Sequence, residues 1–214
     1  MTPPLLTPDL LLRAYAAGIF PMSESRSSPS LHWIDPHWRG VVPLDGFHIS
    51  RSLARRLRRA DYTIRCDADF TGTVAGCAGR EETWINDTLF GLYLDLHGMG
   101  FAHSLEVWED GVLTGGVFGI ALRGAFFGES MFSRQRDASK IALAYLVDRL
   151  REGGFRLFDT QFISAHLQSL GAEEISRAAY RRRLENALAV EADFFRLKGQ
   201  PPPQEVIQRN TQTS

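Results

Sequence analysis

With 214 residues, of which 44% are hydrophobic and 23% charged, the chain has the composition of an ordinary folded protein and lies outside the disordered and fibrous ranges. Its length suits one generous core, or a small unit attached to a main domain, and excludes two full-size domains. With 24 basic against 25 acidic side chains the formal net charge is −1, so a nucleic-acid surface has to come from a local cluster of charge.

The N-terminus has no basic n-region or cleavage site, and no apolar run approaches the roughly 20 residues that span a bilayer, so the expected compartment is the cytoplasm. TPDLLLRAYAAG predicts a short helix with Thr7 as N-cap, Pro8 at its first position and Gly18 after its end. Phe20 to Pro43, with Pro, Ser and Gly among isolated aromatics such as Trp33 and Trp38, shows no period and reads as irregular packed connection. Ser50 to Ala60 reads as a helix, Tyr62 to Cys66 as a strand and Asp87 to His97 as a second helix. Phe101 to Trp108 alternates as a strand does, and GVLTGGVFGIALRGAFFGESMFS reads as two more strands turning at Arg123-Gly124. DASKIALAYLVDRLREGG is a helix that starts near Asp137 and stops at Gly153; FRLFDTQFI is a strand, and ISRAAYRRRLENALAV a helix. The order predicts an α+β fold around a mixed sheet. A small N-terminal domain (1–38), a main domain (39–197) and a flexible polar tail (198–214, with PPPQ) are expected.

Three features offer chemistry. In FRLFDTQFI, residues two apart share a face, so Phe155, Leu157, Asp159 and Gln161 point one way, apolar first and polar at the end. A carboxylate beside a carboxamide suits a cleft that handles an amine or carbonyl, although an isolated DxQ more often describes a strand emerging into solvent. In FFGESMF, Glu129 shares a face with Ala125, Phe127, Met131 and Ser133 and alternates with Phe126, Gly128, Ser130 and Phe132; a carboxylate amid apolar neighbours is either paired or protonated, in a site or in a structural ion pair. In HISRSLARRLRRADY, Arg51, Arg55, Arg58 and Arg59 fall at helical spacing opposite Leu53 and Leu57, which suits a phosphate backbone as well as it suits a solvated face. Cys66 and Cys77 have neither disulfide nor zinc spacing, the histidines show no metal-ligand pair, and no Walker loop or GxSxG elbow is present. No metal is expected.

The segments YAAGIFPM, HISRSL, ETWI, LHGMGFAHSLEVWEDGVLTGGVFGI, FFGESMFS, ASKIAL, FDTQF and HLQSLGAEEISR, in this order from about Leu10 to Leu188, resemble the leucyl/phenylalanyl-tRNA–protein transferases; GESMFS, then ASK, then DxQ carries most of that resemblance. It implies a reduced N-terminal domain on a catalytic domain with the acetyltransferase (GNAT-like) fold, no cofactor and a monomer. It also implies transfer of Leu or Phe, with Met also admitted, from Leu-tRNA or Phe-tRNA to the α-amine of proteins beginning with Arg or Lys, marking them for degradation. By position, Asp159 and Gln161 match the family's catalytic DxQ and Glu129 its active-site glutamate. Val117, Phe126, Met131, Ser133, Leu146 and Phe158 match the aminoacyl side-chain pocket, and Trp84 an aromatic that holds the terminal adenosine. Met22 stands where many members have a second tryptophan, so looser adenosine binding, or help from Trp33, is expected. An acetyl-CoA-dependent acetyltransferase would need a glycine-rich loop that SRQRDASK lacks. A transferase using another amine acceptor, and an RNA-binding module without chemistry, are the remaining rivals.

Overall fold

The computed structural model describes residues 6–211. In chain order the elements are α1 (Pro8–Ala16), β1 (Phe20–Ser23), β2 (Leu31–Ile34), β3 (Trp38–Val41), α2 (Arg51–Arg59), β4 (Thr63–Cys66), α3 (Phe70–Ala78), α4 (Asp87–Gly98), β5 (Ala102–Glu109), β6 (Val112–Leu122), β7 (Ala125–Ser133), α5 (Ala138–Glu152), β8 (Leu157–Gln161), α6 (Ala165–Gln168), β9 (Glu173–Ser176), α7 (Arg177–Leu188) and α8 (Pro203–Thr211).

Among the described residues the main sheet has seven strands in the order β4-β5-β6-β7-β8-β3-β9. Neighbours are antiparallel except β7 and β8, which run parallel and therefore need the crossover that α5 supplies. Each sheet face carries its own core. Helices α2, α5 and α8 pack with Phe126, Phe155 and Phe158 on one side; α1, α3, α4 and α7 pack with Phe118, Phe127 and Phe132 on the other. Burial of both faces explains why β6 and β7 read as nearly continuous apolar runs.

Local signals account for several elements. Thr7 accepts the Leu10 N–H (3.2 Å), capping α1 as expected, and Ser50 accepts the Leu53 N–H (3.2 Å), capping α2. Other expectations are corrected. The stretch from Phe20 to Pro43 is not irregular: β1 and β2 form a hairpin, and β3 enters the main sheet between β8 and β9. Helix α3 and strand β9 were not anticipated; Glu173–Ser176 is extended because it pairs with β3, leaving α7 to begin at Arg177. The expected flexible tail is also overturned as far as it is described. Residues Pro203–Thr211 are helical, Val206 and Ile207 are buried, and Arg209 donates through Nε and Nη2 to the two carboxylate oxygens of the buried Asp148 (2.6 and 2.9 Å). Among the described residues no helix is long and apolar enough to cross a membrane.

Candidate active site

The parallel β7–β8 ladder runs from Ala125 opposite Leu157 to Phe127 opposite Asp159 and then ends. A cavity of about 290 Å³ lies there, lined from Gly128 to Met131 on one strand and by Phe158 and Thr160 to Phe162 on the other. Gly128 is obligatory on steric grounds: a Cβ there would lie 2.7 Å from the Phe158 ring.

Two irregularities shape the wall. Phe118 faces Ser130 and Gly119 faces Gly128, so Glu129 is the extra residue of a β-bulge. Alternation therefore resets after it. Phe127 and Phe132 share one core while Phe126 and Met131 belong to the other, so Met131 does not share a face with Phe127 as a regular strand would require. At the end of β8, Gln161 adopts φ 57°, a left-handed conformation uncommon for a non-glycine residue, and three consecutive residues then line the cavity. Gly40 leaves room for this turn; a Cβ on it would meet the Phe162 carbonyl carbon at 2.7 Å.

Asp159 is wholly buried and absent from the cavity wall. Its carboxylate accepts from Arg39 Nε (2.9 Å) and Nη2 (2.6 Å), from the Tyr180 hydroxyl (2.7 Å) and from the Gln161 backbone N–H (2.8 Å). These donors use the roughly four lone-pair sites a carboxylate offers. The Arg39 guanidinium sits between the Phe20 and Tyr180 rings, 4.5 and 4.4 Å from their centroids, and also donates to the Gly18 carbonyl (3.0 Å). Burial opposes its charge, but the Asp159 hydrogen bonds and charge outweigh this and raise its pKa.

Glu129 is different. Its Oε2 accepts from the Tyr93 hydroxyl (2.7 Å) and its Oε1 lies 3.5 Å from Gln161 Nε2, at the limit of a hydrogen bond. Burial pushes its pKa up to about 7, and the nearby Asp159 charge adds to the rise, while the Tyr93 and Tyr15 hydroxyls and Arg39 oppose it. Glu129 is thus a cavity-wall carboxyl that changes charge near neutrality. The buried hydroxyls of Tyr15, next to it, and of Thr160, on the cavity wall, have no hydrogen-bond partner in normal geometry.

Of the expected aminoacyl-pocket residues, Val117, Met131 and Phe158 line the cavity, joined by Leu143 and Leu167, which the sequence reading missed. Phe126 and Leu146 lie in the core behind it, and Ser133 faces a neighbouring cavity. Trp84 and Met22 line the same cavity as Glu129, and Trp84 meets the Tyr93 ring edge-on at 6.4 Å. Trp33 is 44% exposed in the hairpin and does not line it. On α2, Leu53 and Leu57 are buried while Arg51, Arg55, Arg58 and Arg59 are exposed. Arg59 pairs with Asp61 (2.8 Å) and Arg58 donates to Gln204 (3.2 Å); Arg51 and Arg55 have no ion pair among the described residues. Of the α7 arginines, Arg177 and Arg181 are engaged internally with Asp35 and Arg183 with Glu173. Arg39, Tyr93 and Tyr180 were not anticipated. A lone arginine in the apolar run WRGVV was the one local hint.

Fold and site together define a mixed α+β protein whose cavity has an apolar floor and a wall carrying the Glu129 carboxyl and the Gln161 carboxamide. Residues 41–185 match the family model described as leucyl/phenylalanyl-tRNA protein transferase, and residues 5–37 match that of its N-terminal domain. A leucyl/phenylalanyl-tRNA–protein transferase of Cereibacter sphaeroides is 64% identical over 214 residues, 100% of each chain; one of Ruegeria sp. (strain TM1040) is 65% identical over 98% of this chain and 99% of its own. The chain belongs to the leucyl/phenylalanyl-tRNA–protein transferase family, a family of aminoacyltransferases. Among solved structures, the C-terminal domain of a lysylphosphatidylglycerol synthetase from Agrobacterium fabrum is 15% identical, with a TM-score of 0.42 over 91% of this chain and 63% of that one, a likeness too distant to carry an argument.

Proposed function

We propose that this protein moves Leu or Phe, and also Met, from aminoacyl-tRNA to the α-amine of proteins that begin with Arg or Lys, marking them for degradation. The observation that carries the reading is one cavity in which an apolar floor adjoins Glu129 and Gln161. The floor of Val117, Leu143, Met131, Phe158 and Leu167 takes the aminoacyl side chain; it rejects charged side chains and separates Leu, Phe and Met only weakly, since a methylene difference in an apolar pocket is worth about 1–3 kcal/mol. Trp84, with Met22, packs against the terminal adenine.

In the reaction the amine nitrogen bonds to the ester carbonyl carbon, the bond from that carbon to the ribose oxygen breaks, and the leaving oxygen takes a proton. The ester supplies the driving force. Glu129, whose pKa burial raises to about 7, accepts the proton that the attacking amine sheds and holds an ammonium group in its ionised form. Gln161 orients the reacting groups through its carboxamide. Asp159, its lone pairs committed, acts through Gln161, whose backbone N–H it fixes. Arg51, Arg55, Arg58 and Arg59 follow the tRNA backbone. The same reading takes residues 1–38 as a small N-terminal domain on a GNAT-like catalytic domain, acting as a cytoplasmic monomer.

Transfer of radiolabelled Leu from Leu-tRNA to a peptide beginning with Arg, without ATP or CoA, tests it. The Arg peptide should be labelled and the same peptide beginning with Gly should not. Labelling of both would remove the acceptor assignment, and labelling of neither would remove the reaction.

A further inference from the structure

Next to the cavity just described lies a second one, of about 630 Å³, which shares Arg80 and Met131 with it as lining residues. Its character is different. Arg80, Arg134 and His166 line it together with the hydroxyl residues Ser133, Ser139 and Ser164, and no carboxylate is among its lining residues. The contrast with the pocket beside α2 is informative: there Arg55, Arg56, Arg59 and Arg136 stand among Asp61, Glu109 and Asp137, and much of the charge is consumed by ion pairs.

The cations of the second cavity are anchored without being neutralised. Arg80 donates through Nη2 to the Met131 carbonyl. Arg134 donates through Nη1 to the Leu113 carbonyl (3.2 Å), with its guanidinium 5.2 Å from the centre of the Phe132 ring. Each guanidinium has five N–H donors, so most of the fork remains for another acceptor, and carbonyl anchoring leaves the full positive charge in place. The loop carrying Arg134 is itself fixed, since the Ser133 hydroxyl donates to the Gln135 carbonyl (2.7 Å) and accepts from the Ser139 N–H (3.2 Å).

We propose that this second cavity holds the phosphodiester joining the donor's terminal adenosine to the nucleotide before it. The inference rests on the proposed function, which puts that adenosine at Trp84 and Met22. From there the RNA strand has to leave the first cavity carrying one negative charge per linkage, and Arg80 stands on the shared rim. Two arginines without a carboxylate suit an anion and repel the cationic first residue of an acceptor, so the acceptor enters elsewhere. Arg134 is thereby the charged phosphate-binding residue, and His166, whose pKa burial and the nearby Lys140 charge lower, offers a neutral ring N–H; Arg80 serves both cavities.

The test is binding of three unreactive probes, adenosine, adenosine 5′-monophosphate and the dinucleotide CpA, to wild type, Arg134→Ala, Arg134→Lys and the double variant Arg134→Ala with His166→Ala. Wild type should bind both phosphate-bearing probes at least about tenfold more tightly than adenosine, as expected for hydrogen bonds to a charged group, and the gap should narrow as salt rises. Arg134→Ala and the double variant should shrink the gap to under about threefold, while Arg134→Lys retains part of it, because Lys keeps the charge and loses the fork. Equal binding of all probes by wild type, or a gap untouched in the double variant, overturns the subsite. So does a rise in KM for the Arg-initiated peptide with the nucleotide gap unmoved, which would assign the cavity to the acceptor. Because the probes undergo no chemistry, failure of the subsite is read separately from failure of Leu transfer, which the peptide assay reports.

Discussion

The two carboxylates nearest the cavity lie close enough to influence each other, yet they are built in opposite ways. Asp159 is closed off: Arg39, Tyr180 and the Gln161 N–H occupy its oxygens, and none of its surface is exposed. Glu129 has one firm partner, Tyr93, one distant one, Gln161, and a face on the cavity. The residue that the DxQ motif nominates most strongly is therefore the anchored one, and the residue free to change charge is the one on the bulge. Under the proposed function, the fixed charge holds geometry and the titrating charge is the one that meets substrate.

The comparison is broken most severely by removing the fixed charge. Asp159→Ala strands Arg39, buried and unpaired, and should lower unfolding free energy by about 3–5 kcal/mol in urea titration, with transfer lost. Replacing both partners, Arg39→Met with Asp159→Leu, should recover a good part of that stability and none of the activity, since Gln161 still lacks its anchor. If Asp159→Ala were as stable as wild type, the anchoring role would be wrong.

Glu129→Gln should act in the opposite sense on stability. A carboxyl near 4.5 when unfolded and about 7 when folded binds more protons in the native state between those values, so the wild type loses stability as pH rises through that window. The full shift corresponds to at most about 3 kcal/mol. Glu129→Gln should therefore be more stable than wild type at pH 8, by about 1–3 kcal/mol, and no more stable below pH 4, while transfer falls by about a hundredfold or more. In wild type kcat/KM should rise with pH through about 7, and a flat profile with normal Glu129→Gln activity would leave the titrating role empty.

Smaller effects sharpen the contrast away from the two acids. Arg51→Ala with Arg55→Ala, the two α2 arginines without ion pairs, should weaken tRNA binding and lower its salt slope by about two, as loss of two phosphate contacts requires; Arg59→Ala should do less, because Asp61 already holds that side chain. Met22→Trp should lower KM for the donor by about 1 kcal/mol, within the range for stacking a base on an aromatic ring, with kcat unchanged.

Much of this was legible in the chain itself. The Thr7 cap placed α1, and the spacing of apolar residues placed α2, α4 and α5, although Asp137 at the start of α5 makes no side-chain cap hydrogen bond; the ordered motifs from YAAGIFPM to FDTQF marked the family; and Glu129, Gln161, Trp84, Met22 and part of the apolar floor were named from them. Other elements gave no local signal. Helix α3, FTGTVAGCA, buries Phe70, Thr73, Val74, Cys77 and Ala78 at helical spacing, but its two glycines and two threonines weaken the helical signal, and the four-residue strands β1, β2, β3 and β9 exist because partners pair with them. The PPPQ tail reads as polar extension until Val206 and Ile207 find a core and Arg209 finds Asp148.

What the sequence determined alone was local: caps, turns, the charged and apolar faces of helices, and the kinds of residue that stand in each motif. Tertiary structure decided which of those residues meet. The two-residue period of a strand holds only while the ladder is regular, and it fails at the Glu129 bulge and the left-handed Gln161, the two places where the cavity is made. Arg39 reaches Asp159 from 120 residues away, and only the placement of β3 beside β8 converts an isolated arginine into the group that fixes the site.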